Sequence, residues 1–345
     1  VNVPLKERRM LGLKEPLVVS VSPHIRSADT IQRVMLDVVI ALVPPVVAGV
    51  YFFGARALWI LLLCIATAVG TEALLQKLMK RPLTIGDCSA IITGILLALN
   101  LPPAVPYWLP VLGAVVAIAI AKMVFGGLGR NIFNPALIGR AVLLTAYPVA
   151  MTKGWLQPLW WRTQGFFTST VADAQGTAFD AISSATPLVK EATPDPFALG
   201  DLIIGKVGGC IGETSAICIL LGGIYLLVRK RIFWQMPVAY IGSFALLMAL
   251  FGGTRHLTVL EEICAGGLML GAWFMATDMV TSPLTGRGQF IGGILCGLLT
   301  FVIRLKGGYP EGASYSILMM NMATPLIDKY TEPRRFGVRP GAKRR

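Results

Sequence analysis

The sequence predicts an all-α polytopic membrane protein, with about ten transmembrane helices in two inverted repeats of about five helices each. Three observations predict it. Of the 345 residues 55% are hydrophobic and only 14% charged, against about 25% charged in an ordinary soluble domain. Apolar runs of roughly the 20 residues that cross a bilayer recur along the chain. The order of breaks and glycines in the first half returns in the second. The net charge of +13 would suit a nucleic-acid binder, but the excess lies mainly at the chain ends and in short loops, as the positive-inside bias of membrane proteins requires.

Residues 1–30 read as a cytoplasmic basic arm with Lys6, Arg8, Arg9, Lys14 and Arg26. No apolar core follows its first residues directly, so the expectation is no cleavable signal, with the first span as anchor. Residues 31–150 form the first expected repeat. Its first span, 31–53, carries Asp37 near its start and Pro44-Pro45 inside, where freed backbone groups need new partners. The second, 57–78, contains Glu72 and ends among Lys77, Lys80 and Arg81. Gly86-Asp87-Cys88-Ser89-Ala90 opens a segment too short to cross comfortably, stopped by Leu101-Pro-Pro-Ala-Val-Pro-Tyr-Trp108. Spans follow over 109–124 and 135–150, joined through Phe125-Gly-Gly127 and Asn134-Pro135.

Residues 151–203 are the one sizeable extramembrane stretch, slightly acidic. The second expected repeat covers 204–328, with spans at 206–228, 233–251, 263–280, 290–303 and 314–327, and a cytoplasmic basic tail closes the chain over 329–345. With both termini inside, the basic turns at Lys77–Arg81, Lys122/Arg130 and Arg229–Arg231 face the cytoplasm and 151–203 lies outside. Arg56, Arg255, Arg304 and Lys306 run against this rule.

In the repeat, Ala90-Ile-Ile-Thr-Gly-Ile-Leu-Leu-Ala-Leu99 before Pro102-Pro103 parallels Ala265-Gly-Gly-Leu-Met-Leu-Gly-Ala-Trp-Phe274 before Ser282-Pro283. Phe125-Gly-Gly127 parallels Lys306-Gly-Gly308. An odd number of spans per repeat inverts the second copy, and interrupted segments at matching positions then point to the central site.

The chemistry-bearing stretch is Asp180-Ala-Ile-Ser-Ser-Ala-Thr-Pro-Leu-Val-Lys190. Alone it reads as a hydroxyl-rich turn or helix cap, with Pro187 pushing Thr186 toward extended geometry. It also resembles the D-x-x-[S/T]-[G/S]-A-T acceptor on which a flavin transferase places FMN. Gly127-Leu-Gly-Arg-Asn-Ile-Phe-Asn-Pro-Ala136, Met275-Ala-Thr-Asp278 with Thr281-Ser-Pro283, Gly86-Asp-Cys-Ser-Ala90 and Gly208-Gly-Cys-Ile-Gly-Glu-Thr214 resemble one family across nearly the whole chain. It contains the D-type membrane subunit of the Rnf ferredoxin:NAD oxidoreductase and, as a close relative, the B-type membrane subunit of the sodium-pumping NADH:quinone reductase. The chain's compact length favours the former, and Ser184 stands where that motif frequently has Gly.

That resemblance implies an ammonium/urea-transporter-like fold in a multisubunit translocase of the bacterial inner membrane. It implies FMN joined through a phosphoester to the Thr186 hydroxyl, with Asp180, Ser183 and Ser184 as recognition context, and a second, non-covalent riboflavin. Electron transfer is then coupled to Na⁺ or H⁺ movement, with the other Rnf membrane and iron–sulfur subunits, the flavin transferase and membrane lipid as partners.

Glu213 in the sixth span, Asp278 at the end of the eighth and Asp87 at the mouth of the third are candidates for an ion path or flavin contact. Structural pairing is the competing reading, most clearly for Asp37 and Asp87. Gly126-Gly-Leu-Gly129 suits close helix packing or a phosphate cradle, and Trp108, Trp155, Trp160 and Trp161 an interfacial aromatic belt. Six cysteines without a CxxC pair, and only His24 and His256, give no metal-ligating pattern. Two other classes remain open: a secondary transporter or channel without a redox role, and a scaffold subunit that only anchors partners.

Overall fold

The computed structural model describes residues 29–152, 155–159, 199–252, 257–307 and 312–332. The stretch carrying Asp180, Ser183, Ser184 and Thr186 lies outside them, as do residues 1–28 of the basic arm with His24, Trp160, Trp161, Arg255, His256 and nearly all of the basic tail. The regular elements of the described residues are all helices, without a strand. Helices α1 (Ile31–Phe53) and α2 (Ala55–Leu78) meet at Gly54, whose φ of 72° lets the chain reverse without a loop. Thr30 starts α1 by accepting a hydrogen bond from the Arg33 N–H. Pro44 and Pro45 stay inside α1. Pro45 frees the Ala41 carbonyl, and Gly222 of α8 (Ala216–Val228) packs so closely on that oxygen that a Cβ there would collide with it.

A single 3₁₀ turn (Ile85–Asp87) leads into α3 (Ser89–Leu99), with Cys88 between them at φ 62°. Helix α4 (Trp108–Val116) continues as a π-helical stretch, Ala117–Met123. Asn134 caps and Pro135 begins α5 (Pro135–Ala146), and short α6 (Pro148–Thr152) follows. Past the central stretch come α7 (Leu199–Ile204), α8 and α9 (Gln235–Phe251). The expected span 206–228 begins as irregular chain: helix starts only at Ala216, capped by Ser215, so Glu213 precedes the helix rather than sitting within it. The expected span 263–280 is also broken. It divides into α10 (Val259–Cys264), opened by a Thr258–Glu261 capping box, and α11 (Leu268–Leu270), which runs on as π helix over Gly271–Met275. Helices α12 (Gly286–Lys306) and α13 (Ala313–Thr331) end the described chain.

Helices α1, α2 and α12 are long and apolar enough to cross a membrane, and five further apolar helices are shorter, at 10–17 residues. Large apolar side chains such as Trp59, Leu62, Leu246 and Leu250 remain exposed on outer helix faces, as lipid contact permits. Packing between helices uses small residues: a Cβ at Gly94 would meet Ile65 Cα at 2.8 Å, and one at Gly293 would meet Ala239 Cβ at 2.7 Å. The glycines 126, 127 and 129 do different work from that expected. All three have positive φ, at 119°, 98° and 84°, and form the turn after the π stretch, where the Gly126 carbonyl accepts from Arg81. Trp108 is exposed and packs edge-on against Tyr147, but Trp155 is buried, so the aromatic-belt reading fails for it.

Candidate functional site

A cavity of about 90 Å³ opens beside α3. Ser89, Ile92, Thr93 and Leu96 of α3 form one wall, and Phe274, Thr277 and Asp278 at and beyond the end of α11 form another. Lys122, Asn131 and Asn134 line it from the α4–α5 side, and Met35 and Val38 from α1. Its polar groups already donate elsewhere: the Thr93 hydroxyl to the Ser89 carbonyl (3.0 Å), the Thr277 hydroxyl to the Trp273 carbonyl (2.7 Å), and the Asn131 amide to the Phe133 carbonyl (3.1 Å). A hydroxyl that donates to a helix carbonyl keeps its lone pairs, so this lining accepts hydrogen bonds more readily than it gives them. Asp278 caps the next turn, accepting from the Thr281 hydroxyl at 3.0 Å and the Val280 N–H at 3.4 Å.

At one end of the cavity Lys122 is fully buried and donates to both Glu72 carboxylate oxygens, at 2.8 and 2.7 Å, and to Ser89 Oγ at 2.6 Å. The sequence reading counted Lys122 among cytoplasmic loop charges. It is instead a buried partner, and Glu72 in turn holds Gln76 at 3.2 Å. Asp87, half-buried, accepts from both the Ser89 N–H (2.8 Å) and the Ser89 hydroxyl (2.6 Å). Asp37 is structural: it accepts from Arg231 at 2.7 Å and from Arg229 at 3.2 Å, and the bonds that the Arg231 guanidinium donates, first to Asp29 and then to Asp37, hold it above its ordinary pKa.

A second buried group surrounds Glu213. Arg140 of α5 donates to Glu213 at 3.4 Å and to the Asn100 side-chain oxygen at 2.6 Å, and approaches Cys210 Sγ at 3.6 Å. The irregular segment before α8 lies across the C-terminal end of α3, with the Gly212 N–H donating to the Leu99 carbonyl (2.8 Å) and the Ile211 N–H to the Leu101 carbonyl (3.0 Å). The ends of α3 and α11 approach each other there. Asn100 reaches Met275 Sδ at 3.6 Å, and the Asn134 amide donates to the Met275 carbonyl at 3.4 Å. Two helix C-termini bring two negative dipole ends together, and the Arg140 guanidinium is the buried cation beside them.

The structure therefore places Asp87 and Asp278 on or next to one cavity and Glu213 in a separate charged cluster. The sequence reading missed Arg140 and Asn100, and it misplaced Lys122. The signal was present: a cation inside an apolar run, as in Ile120-Ala-Lys122 and Ile138-Gly-Arg140, needs a buried partner. Among the described residues no three His, Cys, Asp or Glu side chains gather as metal ligands, and no cysteine forms a disulfide.

The described residues form an all-helical chain with helices apolar and long enough to cross a membrane, in which two broken helices meet at their C-termini beside buried ion pairs and a cavity. The sequence model of the NQR2, RnfD, RnfE family matches residues 18–337, and the chain belongs to that family. It is 45% identical over 328 residues to the D subunit of the Na(+)-translocating ferredoxin:NAD(+) oxidoreductase complex of Acetobacterium woodii, covering 93% of this chain and 96% of that protein. It is 44% identical over 340 residues to the D subunit of the proton-translocating ferredoxin:NAD(+) oxidoreductase complex of Clostridium ljungdahlii, covering 94% and 98%. The D subunit of an ion-translocating oxidoreductase complex from Stutzerimonas stutzeri is 40% identical over 335 residues, covering 90% and 93%.

Proposed function

We propose that this chain is the D-type membrane subunit of an ion-translocating ferredoxin:NAD oxidoreductase complex of a bacterial inner membrane. In this reading Thr186 carries FMN through a phosphoester, and electrons pass through the chain while the complex moves an ion. The observation that carries the reading is similarity along nearly the full length to proteins with this name, joined to the acceptor pattern Asp180-x-x-Ser183-Ser184-Ala185-Thr186. One of those relatives is named for Na⁺ and the other for protons, so the ion is not assigned from them. Both termini are cytoplasmic and the Thr186 loop faces outward, by the positive-inside bias.

About ten spans in two inverted repeats remain our reading of the architecture. Its support is a correspondence of charges. Lys122, near the end of the π stretch that continues α4, ties Glu72 to Ser89 at the start of α3, and Arg304, near the end of α12, ties Glu262 to the Ala265 carbonyl just before α11. Each broken segment thus has a carboxylate–cation pair beside its N-terminus.

The second, non-covalent flavin of this reading is assigned to the neighbourhood of this cavity on the chemistry of its lining, since a volume of about 90 Å³ would have to widen to admit a three-ring ligand. Flavin bound there supplies one-electron and two-electron redox chemistry to the complex. Apolar side chains of Met35, Val38, Ile92, Leu96 and Phe274 suit a flat ring system, while the acceptor-rich oxygens of Thr93, Thr277 and Asp278 suit an imide N–H and a polyol chain. The lining cation, Lys122, is already neutralised by Glu72, which favours a flavin without phosphate.

The test uses protein made together with its flavin transferase and run on a denaturing gel. The band is expected to fluoresce under ultraviolet light, and Thr186→Ala to remove that fluorescence. An unmodified mass for the Thr186 peptide from native membranes would sink the covalent assignment and favour a transporter or scaffold role.

A further inference from the structure

We infer that the turn joining α8 to α9 and the start of α12 together hold one molecule of an anionic phospholipid with a hydroxylated headgroup, of the phosphatidylglycerol type. A second cavity, of about 300 Å³, lies there. It shares Ile232, Thr277 and Met279 with the cavity beside α3, and its volume reaches the range of ligand sites. Lys230 and Arg231 line it from the turn, Met236 from the start of α9, and Leu284 and Gln289 from the start of α12. It therefore opens where helices begin and end, at the edge of the bundle.

The interior of this cavity lacks hydrogen-bond donors. Gln289 is only 6% exposed, and its side-chain oxygen is buried with no hydrogen-bond partner among the described residues. A buried amide oxygen left in this way is costly, and a ligand that donates to it removes the cost. Thr277 adds lone pairs on the same wall, because its hydroxyl already donates to the Trp273 carbonyl at 2.7 Å. The mouth, by contrast, is cationic. Arg231 spends three N–H bonds on Asp29 and Asp37, and Asp328 accepts from the Leu284 N–H at 2.9 Å, so the nearby acids are engaged. Lys230 is exposed and forms no ion pair among the described residues, and the same holds for Arg287, two positions before Gln289. These cations repel an ammonium headgroup. A phosphodiester with glycerol hydroxyls beyond it meets both demands, its anionic oxygens at Lys230 and its hydroxyl hydrogens on Gln289 and Thr277. Phe233, Trp234 and Leu284 are exposed around the opening, and an apolar groove over Gln235, Phe290 and Ile291 lies on the same two helix starts, which suits the acyl chains of a lipid at the interface.

The experiment titrates the whole purified complex with phosphatidylglycerol, phosphatidylethanolamine or inorganic phosphate and counts bound molecules by native mass spectrometry. The wild type is expected to hold one phosphatidylglycerol that neither of the others displaces. Gln289→Leu, which exchanges the amide for an apolar group of similar size, should weaken that site about tenfold, and Lys230→Gln about fivefold. Thermal unfolding in lipid nanodiscs gives a second readout that packing alone does not move: adding phosphatidylglycerol to phosphatidylethanolamine should raise the wild-type midpoint and leave that of Gln289→Leu where it was. Equal binding of phosphatidylethanolamine, displacement by inorganic phosphate, or undiminished phosphatidylglycerol binding in both variants overturns the proposal. So does a photoreactive side chain, Leu284→p-benzoylphenylalanine, that captures another subunit of the complex in place of lipid.

Discussion

Removing one partner of the Glu72–Lys122 pair, against removing both, makes the sharpest test of how the first half of the membrane domain is held. Both side chains are 2% exposed or less, and the ion pair is 2.7 Å long. In Lys122→Met the Glu72 carboxylate keeps only the Gln76 amide at 3.2 Å. In Glu72→Leu the ammonium keeps only Ser89 Oγ at 2.6 Å. An unpaired buried charge costs about 3–5 kcal/mol, whereas replacing a whole buried pair by apolar groups of similar volume is commonly neutral or better. Gln76 loses one partner in the double variant but keeps Thr84 at 2.8 Å, a loss of about 1 kcal/mol. Each single variant should therefore shift the folding equilibrium by about 10²- to 4 × 10³-fold, and the double variant by about tenfold or less. Equilibrium unfolding in mixed detergent, followed by helical circular dichroism, reads all four corners of the cycle. Single variants that each cost under about 1 kcal/mol, or costs that simply add in the double variant, would refute a buried and mutually dependent pair.

Two further outcomes test other parts of the structure. Gly212→Ala should destabilise the protein by about 1–3 kcal/mol, read in the same unfolding assay, because its Cβ would stand 2.6 Å from Leu99 Cβ and push apart the bond from Gly212 N–H to the Leu99 carbonyl; an unchanged midpoint would mean that this segment is not seated on α3. A cysteine at position 192, Ala192→Cys in a functional background, should label with an impermeant maleimide added outside intact cells, and labelling only after lysis would reverse the assigned topology.

Apolar length was legible wherever a helix is regular. The span expected at 31–53 coincides with α1, and those expected at 109–124 and 233–251 match their helices within two residues. What hydropathy hid was where apolar chain is not helix. Residues 207–215 fall inside the expected span, yet they run irregularly, and the Ile211 and Gly212 N–H groups bond to the Leu101 and Leu99 carbonyls at and just past the end of α3. Apolar composition records how well a segment tolerates lipid or core, and it is silent on which backbone groups find partners within their own helix. The broken segments were nonetheless signposted, by Gly86-Asp-Cys-Ser89 before one and Ala265-Gly-Gly267 before the other. The acids Asp87, Asp278 and Glu213 were readable as candidates, but their division between a cavity and an Arg140 cluster depends on contacts far apart in sequence.

The arginines that contradicted the charge rule show why such contacts matter. Arg56 is buried and donates to three successive carbonyls, Pro103 at 2.8 Å and Ala104 and Val105 at 3.1 Å each, with its guanidinium over the Tyr107 ring. Arg304 is buried over the Phe244 ring and donates to the Glu262 and Ala265 carbonyls at 2.6 and 3.0 Å. Neither charge reports a side of the membrane. Each satisfies carbonyls that a broken helix has left without N–H partners, Arg56 after α3 and Arg304 between α10 and α11. Wherever a span is interrupted inside the bilayer, the freed carbonyls need donors that water cannot supply, and a guanidinium offers five from one side chain. A lone arginine close to a Pro- or Gly-rich break is thus better read as the donor for that break than as a topological charge. With Arg56 and Arg304 set aside, the remaining basic clusters at 77–81 and 229–231 argue for the same orientation with fewer exceptions.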